Sequence, residues 1–147
     1  MSIERPMVTA HVSIGKLIAF AEEMYPKKKF YHAMRVAGYA FDKAADSRSV
    51  KPLDALAVGI AHDLIEDTDC TPEMLCKFMT PEQVGAVLEL TKGDDQDYGE
   101  YVMSIIEGGS DLAKLVKGAD MKDHYMLADT MTEKLHKKYQ PYLKFFL

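Results

Sequence analysis

The chain has 147 residues, 48% of them apolar and 28% charged, with a net charge of −5 at pH 7. That composition suits one globular domain over residues 1–147 with enough chain to bury a sizeable core. The acidic balance excludes a general nucleic-acid binder. Apolar stretches such as Ala55 to Ala61 are too short for a membrane span, and no signal-like segment opens the chain, so the expected compartment is the cytoplasm.

Helical periodicity runs through the sequence, and no alternating β-branched run stands out. The first helix is predicted from near Val12 to Tyr25, with Ile14, Leu17, Ile18 and Ala21 on one face, and Pro26 ends it. The second carries His32, Val36, Tyr39 and Ala40 toward Ala45. Pro52 suits the first turn of a third helix that holds the apolar run from Leu53 to Ile65. Two further helices open alike, at Thr71-Pro72-Glu73 and Thr80-Pro81-Glu82, where threonine caps, proline fits the first turn and glutamate favours the positive end. Gln83 completes a capping box with Thr80.

A polar loop at Gly93-Asp94-Asp95-Gln96 leads to a helix from about Asp97 to Glu107. Gly108-Gly109-Ser110 then precedes a long helix with Leu112, Leu115, Val116, Ala119 and Asp120. Pro141 interrupts the last segment, and Phe145, Phe146 and Leu147 are apolar enough to pack on the body or on a second copy of the chain. The expected architecture is all-α, a compact bundle of about seven or eight helices. Cys70 and Cys76 stand outside any Cys-x-x-Cys spacing, and Cys76, among Met74, Leu75, Phe78 and Met79, reads as a buried thiol. The ten methionines read as core filler.

The chemistry concentrates at Ala61-His62-Asp63-Leu64-Ile65-Glu66-Asp67-Thr68. Residues four apart on a helix share a face, so His62 lies beneath Glu66 and Asp63 beneath Asp67. Titratable groups emerging from an apolar segment are costly without a partner. His32 on the second helix and Asp120 on the later one complete a set of two imidazoles and two carboxylates from three helices, suited to one divalent ion. Such donors favour Mn²⁺, Fe²⁺, Co²⁺ or Zn²⁺ over Ca²⁺. Glu66 and Asp67, one turn beyond, are placed to orient a nucleophilic water and take its proton, against the simpler reading of a solvated helix end.

On these residues, together with Leu90-Thr91-Lys92 and Val116-Lys117-Gly118-Ala119-Asp120, the stretch from Ile14 to Tyr125 resembles the HD-domain metal-dependent phosphohydrolases. Their pattern is His, then His-Asp, then Asp. The Glu-Asp pair is similar to that of the hydrolase domain of RelA/SpoT-type alarmone enzymes, which removes the 3′-pyrophosphate of guanosine tetra- and pentaphosphate, usually with Mn²⁺. The resemblance implies His32, His62, Asp63 and Asp120 as metal ligands, and Glu66 and Asp67 as catalytic carboxylates. The chain departs from the family at Ala33, where proline is common, and at His124, where asparagine is common.

Lys27, Lys28 and Lys29 read either as a solvated loop or as phosphate-binding cations. Arg35 is a second candidate clamp, and His124, four residues after Asp120, can approach the site and is expected among the substrate-binding residues. His11 and His136 lack such context and read as surface or structural. Three functions remain open at this level: a pyrophosphohydrolase acting on an alarmone-like nucleotide, a nucleotidase acting on nucleoside monophosphates, and a non-catalytic nucleotide-binding module. A small-molecule nucleotide is the expected partner in each.

Overall fold

The computed structural model describes residues 5–126 and 131–146, with backbone alone for residues 5–13. Among the described residues every regular element is helical: α1 (Arg5–Met24), α2 (Lys27–Ser47), α3 (Pro52–Ala61), α4 (Leu64–Asp67), α5 (Pro72–Leu75), α6 (Pro81–Glu89), α7 (Tyr98–Gly108), α8 (Asp111–Met126), α9 (Glu133–Tyr139) and a 3₁₀ turn over Gln140–Phe145. Helices α4 and α5 are single turns of four residues, so the seven longer helices carry the architecture.

The core forms where small residues let helices approach. Helix α2 buries Ala33, Val36, Ala37, Ala40 and Ala44, a stripe at helical spacing. It packs on α3, where a Cβ added to Gly59 would stand 2.6 Å from the Ala37 Cα. Only a glycine permits that crossing. Helix α8 adds Ala113, Val116 and Met121 to the same core, and Leu17 and Ala21 of α1 close it from the other side. Together α2, α3 and α8 converge on one line of contact, and that line carries the site.

Local signals act as the sequence indicates. Thr71 and Thr80 cap α5 and α6, and the Thr80–Gln83 capping box closes with hydrogen bonds of 2.9 and 3.2 Å. Asp97 caps α7 with a second box through Glu100. Pro26 and Pro141 stand at the expected boundaries.

Several expectations are corrected. Helix α1 begins at Arg5, well before Val12. Cys76 is exposed, because the single turn of α5 directs Leu75 inward and leaves the capping residue after it outside, while Cys70 is the buried thiol. Met79 and Met121 are buried as core filler, but Met74 and Met126 are exposed. In the tail, Phe146 packs against the core, Phe145 is half exposed, and Leu147 lies outside the described residues.

Candidate metal centre

Helix α3 does not run through the His-Asp pair as its apolar pattern suggests. It stops at Ala61, and Asp63 adopts φ −107°, ψ 2° before α4 resumes at Leu64. Two side chains replace the backbone bonds that would have continued the helix. The buried Tyr25 hydroxyl donates to the Ile60 carbonyl at 2.8 Å and accepts the Asp63 amide at 3.2 Å. The Gly59 carbonyl, which Asp63 would otherwise use, instead accepts from His62 Nδ1 at 2.7 Å. The Ile60 and Gly59 carbonyls and the Asp63 amide are thereby matched, and the turn swings both His62 and Asp63 toward α2 and α8.

The four sequence-predicted ligands meet there. His32 Nε2 lies 2.8 Å from Asp120 Oδ1, and His62 Nε2 lies 3.2 Å from Asp63 Oδ2 and 3.5 Å from Asp120 Oδ1. Donor triads His32–His62–Asp63 and His32–Asp120–His124 share His32, with the donor atoms of each triad within 4.8 Å of one another. His62 tests whether a metal fits. A carbonyl only accepts, so Nδ1 carries a proton, and in its neutral form the ring would offer the Nε2 lone pair to an ion in the cluster. That Nε2 is buried with no hydrogen-bond partner among the described residues, an unmet need that an ion between imidazoles and carboxylates would satisfy.

His32 is oriented from behind. Its Nδ1 bonds the fully buried Asp123 at 2.7 Å, and Arg35 grips both oxygens of that carboxylate at 2.8 and 3.1 Å. This is the carboxylate–histidine arrangement that fixes a ligating ring's tautomer and direction. Arg35 therefore acts through Asp123, and it is not among the residues lining the cleft. Asp120 is steadied by Lys117 on its own helix, with Nζ 3.2 Å from Oδ2. Lys117 is itself buried, its ammonium 5.3–5.7 Å from the ring centroids of Tyr98, Tyr101 and Tyr139.

Electrostatics follow this layout. Burial works against ionising Asp120, but Lys117 and the two imidazoles overcome it and hold the carboxyl well below its ordinary range. Burial likewise opposes a charged His62, and the Asp63 and Asp120 carboxylates outweigh it, raising the imidazole well above its usual value. Burial dominates at His124 and lowers its pKa.

Above the ligands opens a cleft of about 180 Å³. Its rim includes Glu66 and Asp67, both exposed. Glu66 Oε1 accepts the Lys92 amide at 2.9 Å, and Asp67 Oδ2 accepts from Lys29 Nζ at 2.9 Å. Lys92, Lys138 and the rings of Tyr98, Tyr101 and Tyr139 complete the wall, with Lys138 Nζ 4.3 Å from the Tyr98 centroid.

The lysine run divides. It forms the first turn of α2, so it is helical and not a loop. Successive helical residues fan about 100° apart, so only Lys29 reaches the cleft. Lys28 is exposed, and Lys27 lies 6.0 Å from the Tyr31 ring. His124 lines the cleft beside Asp120. His136 bonds the Tyr125 hydroxyl at 3.0 Å away from the cleft, and the side chain of His11 lies outside the described residues.

Lys92 and Lys117 stand in the motifs that carry the resemblance but without an assigned role, and Tyr25, Asp123 and Lys138 carry none from the sequence. A polar residue one turn either side of Asp120 was the available signal for Lys117 and Asp123. Nothing local marks Tyr25, whose partners are 35 and 38 residues away.

The fold is that of the HD-type helical domains the motifs resemble. Among solved structures the chain is similar to one described as a metazoan ortholog of SpoT that hydrolyses ppGpp and plays a role in starvation responses. The TM-score is 0.70 and the identity 22%, over 91% of this chain and 83% of that one. No protein-family model matches the sequence, and no curated protein does. No helix among the described residues is long and apolar enough to cross a membrane.

Proposed function

We propose that this protein is a metal-dependent phosphohydrolase that releases pyrophosphate from a nucleotide, with a guanosine 3′-pyrophosphate as the leading substrate. The observation that carries the reading is the buried, partnerless Nε2 of His62 facing Asp63, Asp120 and His32 at the floor of a lysine-rimmed cleft. An ion held by His32, His62, Asp63 and Asp120, with Mn²⁺ first and Fe²⁺, Co²⁺ or Zn²⁺ as alternatives, would supply an acidified water and polarise a phosphoryl oxygen.

The chain's own groups do the rest. Glu66, with one oxygen fixed by the Lys92 amide, orients the attacking water through the other. Asp67, held in place by Lys29, takes the water's proton. Lys29, Lys92 and Lys138 bind the phosphates, and each can exchange its present contact for a phosphate oxygen. Tyr98 and Tyr139 give the nucleoside an aromatic wall. The metazoan protein's stated action on ppGpp, with the Glu66-Asp67 pair, supports guanosine tetraphosphate as the first compound to test.

The test is incubation with guanosine tetraphosphate and Mn²⁺, following pyrophosphate and GDP, which are expected in equal amounts. Orthophosphate from nucleoside monophosphates, with no pyrophosphate from guanosine tetraphosphate, hands the function to a nucleotidase. Tight nucleotide binding with no turnover of either class makes the protein a binding module.

A further inference from the structure

We propose that His124 is a further metal ligand, so that three imidazoles and two carboxylates surround the centre. The inference rests on the metal reading above and extends it to a residue expected to touch substrate.

His124 stands one turn after Asp120 on α8, which puts the two side chains on one face. Its Nε2 is 3.7 Å from Asp120 Oδ1, too far for a hydrogen bond, and its Nδ1 is buried with no partner. A ring nitrogen buried without a partner among the described residues is costly, and the half-buried ring packs beside His32 at 4.7 Å and Tyr139 at 5.9 Å, centroid to centroid. The spacings are those of donors sharing an ion. Asp120 Oδ1 is 2.8, 3.5 and 3.7 Å from nitrogens of His32, His62 and His124. Donors bonded to one ion at about 2.0–2.2 Å stand roughly 2.8–4.4 Å apart. His124 also closes the triad with His32 and Asp120 that does not need His62 or Asp63.

A third imidazole changes which ion is held best. Nitrogen donors suit Zn²⁺, Fe²⁺ and Co²⁺, whereas carboxylates suit Mn²⁺. The site therefore discriminates in favour of the borderline ions through His124, which sets this chain's preference apart from that of a centre with two imidazoles.

The experiment titrates Co²⁺ and Mn²⁺ into the wild type, His124→Phe, His124→Gln and His62→Ala by calorimetry, with circular dichroism to follow the fold. The visible spectrum and proton NMR of the Co²⁺-loaded protein are recorded alongside. Both His124 variants are expected to lose Co²⁺ affinity by at least the roughly 10–100-fold that removing an outer-shell partner costs, to lose less for Mn²⁺, and to shift the Co²⁺ absorption bands. The wild type should show contact-shifted N–H signals from three imidazoles, a readout that needs no variant to fold. Two such signals, or unchanged Co²⁺ affinity and spectrum in both His124 variants while His62→Ala loses the ion, overturn the His124 assignment and leave the metal centre standing. A wild type that takes up neither ion overturns the metal reading and this inference with it.

Discussion

The floor of the cleft is built from buried side chains on the core helices, and its rim from more exposed groups at helix ends and connections. His62, Asp120 and Asp123 are 3%, 7% and 0% exposed, each tied to a second element by a hydrogen bond or ion pair. Glu66, Asp67, Lys29 and Lys92 belong to α4, the start of α2 and the loop after α6, and their contacts are to one another or to backbone. The floor is thus over-determined by packing while the rim is held by solvent-exposed pairs that are individually weak. On the proposed function, the difference separates what fixes the ion from what handles the substrate.

The sharpest way to break that division is to remove rim carboxylates without touching the floor. Glu66→Gln and Asp67→Asn are expected to lower turnover by about 10²–10⁴-fold while stoichiometric metal, measured by elemental analysis, is retained. A loss of metal in either would mean that rim and floor are one unit. The converse change lies behind the floor. Asp123→Asn leaves His32 and the whole rim in place but weakens the grip on Nδ1, so metal affinity should fall by about 10–100-fold, with KM for substrate unchanged once metal is saturating.

Packing beneath the floor gives a third contrast. Gly59→Ala drives a Cβ against the Ala37 Cα and moves the carbonyl that holds His62 Nδ1. Overpacking of this kind costs about 1–3 kcal/mol, more than the roughly 0.5–1 kcal/mol alanine gains in a helix. The urea midpoint should drop, and metal affinity with it. The smallest effect is on the rim: Lys29→Ala should raise KM for a polyphosphorylated nucleotide several-fold, while Lys27→Ala and Lys28→Ala leave it unchanged, because one of the three residues faces the cleft.

The same division explains what could be read in the sequence. His32, His62, Asp63 and Asp120 were legible because each interrupts an apolar helical pattern, and a titratable group in such a pattern has to be used. The helical class and the caps at Thr71, Thr80 and Asp97 were legible because their interactions are local. The break at His62-Asp63 was not, since its cause is a tyrosine hydroxyl 35 residues upstream of the carbonyl it takes. The lysines misled because like charges in a row read as one patch, whereas a helix distributes them around its circumference. Lys92 and Lys138 reach the rim only through the tertiary placement of the loop after α6 and of α9, which no spacing rule encodes.

Lys117 has a consequence for the overall charge of the floor. On the proposed function, a divalent ion held by Asp63 and Asp120 would be neutralised by them, Arg35 cancels Asp123, and imidazoles that ligate an ion do so uncharged. The enclosed ammonium of Lys117 then leaves the assembled floor with one surplus positive charge, surrounded by tyrosine rings and shielded from counter-ions. That surplus repels the ion and lowers its affinity. It also gives the base of the cleft a standing attraction for anions, present before any lysine of the rim has moved and far less sensitive to salt than they are. On the proposed function, the cleft would thereby exchange some hold on a metal for a deeper hold on phosphate.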